Sequence, residues 1–265
     1  MQWEHNYFLT LTYDPEHVPI RDHVRLDNSS GEVLDYHQVM TLWPDDLKAF
    51  VKRLREHWRV NFEHTNIRFF ACGEYGPENS RPHYHIILFN CPIPDLELDH
   101  YSDGYAYYRS PIIEKKWGKG FCLVTDFSYE TAAYVARYML KKHKGKDKDY
   151  YDKNGIIPEF TRSSRRPGLA FDYYDQNKDK IYSFDKISIV NGDGKPLNVR
   201  PPKYFDRLFD VENPEQLQYN KDKRKAFAQR SNAKLRFTTD KSDDDYLVVQ
   251  EQNKALSISS LRRAV

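Results

Sequence analysis

The sequence predicts an α+β protein: a ferredoxin-like (RRM-like) antiparallel β-sheet with helices packed on one face, plus a C-terminal extension. Three observations predict it. Short runs at Tyr7–Tyr13 and Pro82–Phe89 alternate with the period of strands. Two longer runs, opening at Pro44 and Ser128, carry apolar residues at helical spacing. Gly76-Pro77-Glu78-Asn79-Ser80 joins two strand-like runs by a turn alone, which makes them an antiparallel hairpin. The order strand, helix, strand, strand, variable stretch, strand, helix fits helices laid on one antiparallel sheet.

Each element follows from its residues. YFLTLTY (7–13) is aromatic and β-branched, with Leu9 and Leu11 toward the core and Thr10 and Thr12 on the other side. Asp14-Pro15 ends it. Residues 19–42 are polar and mixed, and a long loop is expected. Pro44-Asp45-Asp46 suits the first turn of a helix. Leu47, Phe50, Val51, Leu54 and Trp58 follow on one face, with Lys48, Lys52, Arg53 and Arg55 elsewhere around it. NIRFFACGEY (66–75) and RPHYHIILF (81–89) are the hairpin strands. Pro92 and Pro94 close the second, and a variable stretch follows. Phe121–Thr125 is a further strand. Ser128 caps a helix over SYETAAYVARYMLKK. Residues 143–155 read as a linker. Asn191-Gly192-Asp193-Gly194 reads as a hairpin turn between KISIV and KPLNV. Residues 213–236 read as a basic helix, and the remainder, with Asp243-Asp244-Asp245, as a frayed tail. The expected organisation is a first domain over residues 1–145, an aromatic-containing segment over 146–212 that folds back on it, and a helix with a disordered-leaning tail over 213–265.

Composition excludes several classes. With 265 residues, 39% apolar and 30% charged, the chain suits a soluble globular protein. No apolar run approaches a membrane span, so no membrane partner is expected. MQWEHNYFLTLTYD has no basic region before an apolar core, so no signal peptide is expected. Cys72, Cys91 and Cys122 are too few and scattered for a disulfide framework or a CxxC zinc site, which fits a reducing cytoplasm. The net charge is only +2, but its distribution is uneven. Residues 137–166 hold ten Lys/Arg against four acids, a surface suited to phosphates.

The chemistry sits in two places. On a strand, His83 and His85 share one face and can point at one ion, whereas Tyr84, Ile86 and Leu88 share the other. Two imidazoles rarely suffice for a metal, so a third ligand is expected. Glu74, late in the preceding strand, lies across from them; Glu78, in the turn, is the runner-up. Two imidazoles and a carboxylate suit Mn²⁺ or a later transition metal by softness, and Mg²⁺ by cellular abundance. On the second helix Tyr134 and Tyr138 lie one turn apart on one side, and Lys141 follows there. Ala132, Val135, Ala136 and Met139 form a separate stripe able to seat the helix. A phenol is a poor nucleophile at neutral pH and a phosphodiester a poor electrophile. A cation held by the histidines would offset the phosphate charge. A tyrosine oxygen could then attack and form a phosphotyrosine, with Lys141 stabilising the transition-state charge.

FLTLTYD (8–14), RPHYHIILF (81–89) and YVARYMLKK (134–142), in that order, resemble the three motifs of the His-hydrophobic-His (HUH) endonucleases that initiate rolling-circle replication. The wording is most similar to that of the replication initiators of gokushoviruses, single-stranded DNA phages of the Microviridae. The resemblance runs from about Asn6 to Lys142, and more loosely through SRRPG (164–168) and RPPKYFDRLF (200–209). It implies Mg²⁺ or Mn²⁺ on His83, His85 and the acid placed at Glu74. It implies Tyr134 and Tyr138 as paired nucleophiles and Lys141 as the lysine following the second tyrosine. One tyrosine nicks the origin and keeps the 5′ phosphate; the other later cleaves the regenerated origin, and a circle closes. Thr10 and Thr12 belong to a motif that shapes the site or contacts DNA, and Arg137 and Lys142 are further DNA-contact candidates. The implied partners are single-stranded origin DNA and a host polymerase and helicase, in the cytoplasm of an infected bacterium. One departure is that the family's cysteine-containing segment before the first motif is absent ahead of Asn6. The expectation is a truncated chain or an internal start, with consequences for origin recognition rather than nicking.

Three other readings make distinct predictions. A plasmid relaxase shares the chemistry. A non-catalytic RRM-like module would stack bases on Phe69, Phe70, Tyr84 and Phe89 and bind single strands equally well in EDTA. A zinc hydrolase would leave the tyrosines without a task.

Overall fold

Leu9 and Leu11 are fully buried, and Thr10 between them is not. That alternation sets the two faces of a central strand, β1 (Tyr7–Thr12). The computed structural model describes residues 3–259 except 28, 78, 103, 142–148 and 191–193, and only the backbone at 130, 137–141, 235–236 and 258–259. After β1 come β2 (Ile20–Leu26), β3 (Val33–Met40), α1 (Pro44–Phe62), β4 (Arg68–Tyr75), β5 (Pro82–Phe89), β6 (Glu97–Ser102) and β7 (Tyr105–Arg109). Then follow α2 (Pro111–Trp117), β8 (Cys122–Asp126), α3 (Tyr129–Lys141), α4 (Tyr150–Lys153) and β9 (Phe160–Ser163). The chain divides into two compact units, Met1–Leu169 and Ala170–Val265.

In the first unit seven strands form one antiparallel sheet, ordered β6-β7-β8-β1-β5-β4-β9. The α+β class is as the sequence predicts. One sheet face carries Leu9, Leu11, Tyr84, Ile86 and Leu88 against Leu47, Phe50, Leu54 and Trp58 of α1 and Ile113 and Trp117 of α2. The two indoles donate within this layer, Trp58 Nε1 to the Pro92 carbonyl at 2.7 Å and Trp117 Nε1 to that of Thr12 at 2.8 Å. The opposite face carries Phe8, Cys72 and Ile87 against Tyr134 and Val135 of α3. Helices therefore flank the sheet, α1 and α2 on one side and α3 on the other. Gly120 holds a close approach to the end of β1: a Cβ there would meet Thr12 O at 2.5 Å and Asp14 N at 2.4 Å. The approach lets Thr12 N donate to Phe121 O and Asp14 N to Lys119 O, each at 2.9 Å.

Several elements differ from expectation. Residues 19–42 are not a loop; β2 and β3 pair as a two-stranded ribbon. Its side chains are mostly exposed, so no apolar alternation marks it. The variable stretch contains the β6–β7 hairpin and the helix α2, capped by Ser110 Oγ accepting from Ile113 N at 3.2 Å. Ser128 caps α3 as expected, its Oγ accepting from Thr131 N at 3.2 Å.

The second unit holds α5 (Phe171–Phe184), β10 (Ile187–Val190), β11 (Pro196–Val199), α6 (Lys203–Glu212), α7 (Pro214–Arg236) and α8 (Asp243–Ser259). Tyr182 and Phe209 stack at 3.7 Å between ring centres within its core, and Arg224 bridges Asp185 and Asp206. The expected β10–β11 hairpin and α7 are present. The expected frayed tail contains α8, whose first turn is the aspartate run; Ser242 Oγ accepts from Asp245 N at 3.2 Å. Negative charge there suits the positive end of the helix. Among the described residues no helix is long and apolar enough to cross a membrane.

Candidate functional site

The β4–β5 hairpin does what the sequence spacing requires. Glu74 stands directly opposite His83, and Cys72 opposite His85. On the other side of β5, Thr10 faces His85 and Thr12 faces His83. Side chains opposite one another share a face, so Thr10, Thr12, Glu74, His83 and His85 all lie on the α3 side of the sheet.

The two imidazoles converge on one carboxylate oxygen. Glu74 Oε1 is 2.8 Å from His83 Nε2 and 2.9 Å from His85 Nε2. Glu74 and His85 are buried, while His83 keeps 17% of its side chain exposed and marks the open side. One ligand atom from each of the three lies within 4.8 Å of the others. The outer ring nitrogens are held as well. His83 Nδ1 lies 3.1 Å from the Arg81 carbonyl, and His85 Nδ1 lies 3.1 Å from Thr10 Oγ1. A carbonyl only accepts, so Nδ1 of His83 carries a proton and, in the neutral ring, Nε2 offers its lone pair. Two lone pairs at 2.8 Å call for positive charge between them, a second ring proton or a metal ion. Burial pushes the Glu74 carboxyl up, but its hydrogen bonds and charge interactions with both histidines outweigh that, and its pKa lies below the ordinary carboxylate value. An ionised carboxylate and two oriented imidazoles are a fitting donor set for a divalent cation.

Tyr134 completes the described part of the site. Its ring meets that of His85 edge-on, 5.3 Å between centres, and that of Phe8 at 6.2 Å. Phe8 in turn stacks on His85 at 5.2 Å. Tyr134 therefore belongs to the seat of α3 together with Val135, rather than to a separate stripe. Sequence reasoning left Phe8 out; the register pairing Phe8 with Ile87, beside His85, is the feature that places it. The side chains of Arg137, Tyr138 and Lys141 lie outside the described residues, as do Lys142 and the runner-up ligand Glu78. Thr12 donates from Oγ1 to the Phe121 carbonyl at 3.2 Å, away from the imidazoles. Of the four aromatics proposed as a stacking platform none is exposed, and Tyr84 is fully buried under α1.

A family model for the replication-associated protein ORF2 matches residues 6–143. The chain is 34% identical over 258 residues to the replication-associated protein ORF2 of Spiroplasma virus 4, covering 96% of this chain and 74% of that protein. It is 28% identical over 219 residues to the replication-associated protein VP4 of Bdellovibrio phage phiMH2K, covering 80% and 60%. It is 28% identical over 211 residues to the replication-associated protein ORF4 of Chlamydia phage 1, covering 77% and 46%. No solved structure matches. The matched residues 6–143 contain the sheet strands β1 to β8, the Glu74–His83–His85 cluster and Tyr134, and the chain belongs to the replication-associated protein ORF2 family.

Proposed function

We propose that this protein acts in phage DNA replication as a nicking and rejoining enzyme for single-stranded DNA. The observation that carries the reading is the contact of the Tyr134 ring with His85, one of two imidazoles that share the Glu74 carboxylate. Glu74, His83 and His85 hold Mg²⁺ or Mn²⁺, and Thr10 and the Arg81 carbonyl fix the ring orientations. When bound, the cation polarises the scissile phosphate and offsets its charge.

The chain's own groups supply the rest. The Tyr134 phenolic oxygen attacks phosphorus and loses its proton; the bond from phosphorus to the 3′ oxygen breaks, and that oxygen takes up a proton. The product is a 5′-phosphotyrosine and a free 3′ hydroxyl for a host polymerase. Attack of a 3′ hydroxyl on the same linkage restores the phosphodiester and the phenol. Tyr138, one turn along α3, serves the second cleavage, and Lys141 places positive charge beside the leaving oxygen. Arg137 and Lys142 contact the DNA backbone. The setting is the cytoplasm of the infected bacterium, with a host helicase opening the duplex.

The test is covalent capture. The protein is incubated with a panel of single-stranded oligonucleotides and Mn²⁺, and tyrosyl-nucleotide adducts are read by mass spectrometry. Tyr134→Phe and Tyr138→Phe should each impair one half of the cycle, and the double change should abolish the adduct. His83→Ala should abolish metal-dependent nicking with circular dichroism unchanged. An adduct persisting in the double tyrosine variant overturns the nucleophile assignment.

A further inference from the structure

The basic positions of α1 have no part in the metal cluster. Lys48, Lys52, Arg55 and Arg59 recur at intervals of four, three and four residues, one stripe along the helix. Facing them is Arg162 of β9, the edge strand, paired with Ala71 and so on the α1 side of the sheet. Between the stripe and β9 runs an open cleft of about 670 Å³. Its floor includes Leu47, Val51 and Phe69. From Pro44 to Arg59 it follows α1 for about 22 Å, by the helical rise, which is room for several nucleotides.

Two of the stripe's charges are matched by neighbours: Arg59 meets Glu56 at 2.6 Å, and Lys48 lies 3.8 Å from Asp45. Among the described residues no ion pair is formed by Lys52, Arg55 or Arg162. Arg55 donates to the Ile67 carbonyl at 2.9 Å and to Ser164 Oγ at 3.1 Å, and lies over the Phe69 ring at 5.3 Å. Burial and then the neighbouring Arg68 guanidinium push its pKa down. Positive charge is thus gathered in a concave, apolar, partly aromatic groove. Single strands need that combination, cations for their phosphates and an apolar floor for unstacked bases. A duplex keeps its bases stacked inside and would use only the charge.

We propose that the cleft between α1 and β9 is a second binding site for single-stranded DNA, on the sheet face opposite His83, His85 and Tyr134. The proposal rests on the reading above only in taking single-stranded DNA as the ligand. It gives the protein a hold on the strand that is independent of the nicking face.

The test uses the full chain in EDTA and a fluorescein-labelled single strand, with anisotropy read across a salt series. Lys52→Glu with Arg162→Glu should weaken binding about tenfold and flatten the slope of log affinity against log salt by about 1.4, two lost phosphate contacts. Lys115→Glu, a charge reversal on α2, should bind like the wild type. With Mn²⁺ and saturating oligonucleotide, the tyrosyl adduct yield of the double variant should be unchanged. Unchanged affinity, an equal loss in Lys115→Glu, or an equal loss on duplex DNA would overturn the cleft. If the reversed pair fails to fold by circular dichroism, Lys52→Gln with Arg162→Gln carries the same comparison. A wild type that forms no adduct would remove the nicking reading, and the anisotropy result would still decide the cleft.

Discussion

His85 is constrained on every side the structure describes. Phe8 stacks on its ring, Tyr134 meets it edge-on, Thr10 Oγ1 takes its Nδ1 and Glu74 its Nε2. Thr10→Val keeps the side-chain shape and removes the hydroxyl, leaving Nδ1 without that partner. Mn²⁺ affinity should fall by about 10–100-fold, the usual penalty for losing such an outer contact, with circular dichroism unchanged. Isothermal titration calorimetry checks this, and a wild-type affinity would show that Thr10 does not orient the ring. The placement of Glu74, His83 and His85 on one face is legible in the sequence, because a period of two and a five-residue turn fix both face and register. The aromatic support from Phe8 is not, since it depends on a neighbouring strand's alignment.

Among the elements, α1 and the hairpin are legible because each has a buried face that writes its period into the sequence. The β2–β3 ribbon has no such face and is silent by pattern. Two others carried a signal of a different kind. Ser110-Pro111 followed by Gly118 brackets α2 with a cap, a first-turn proline and a left-handed stop. Asp103-Gly104 is a favoured two-residue hairpin pair between β6 and β7. The join between β5 and α1 is a buried polar cluster: Tyr84 donates to the Trp43 carbonyl, accepts from Trp43 N and lies 2.9 Å from the Tyr13 hydroxyl. Tyr84→Phe leaves a buried N–H and carbonyl without that partner and should cost about 1–3 kcal/mol in urea unfolding, with the slope unchanged.

For the whole molecule, the boundary between units falls at Leu169–Ala170, beyond the last strand of the large sheet. Linker composition does not reveal it, because β9 follows the charged stretch and joins the sheet at long range. Both cores of the first unit and the whole metal cluster lie before residue 170. Residues 1–169 expressed alone should unfold cooperatively and keep the Mn²⁺ affinity of the full chain. Calorimetry and titration read both, and loss of either would make the second unit part of the first one's fold.

The sheet divides tasks between its two surfaces. Bulk apolar packing is concentrated under α1 and α2, and the reactive groups lie with the smaller cluster under α3. Inheritance can therefore alter either surface with limited penalty to the other. Damage to the first should surface as lowered melting temperature, and damage to the second as lost turnover in a chain that still folds.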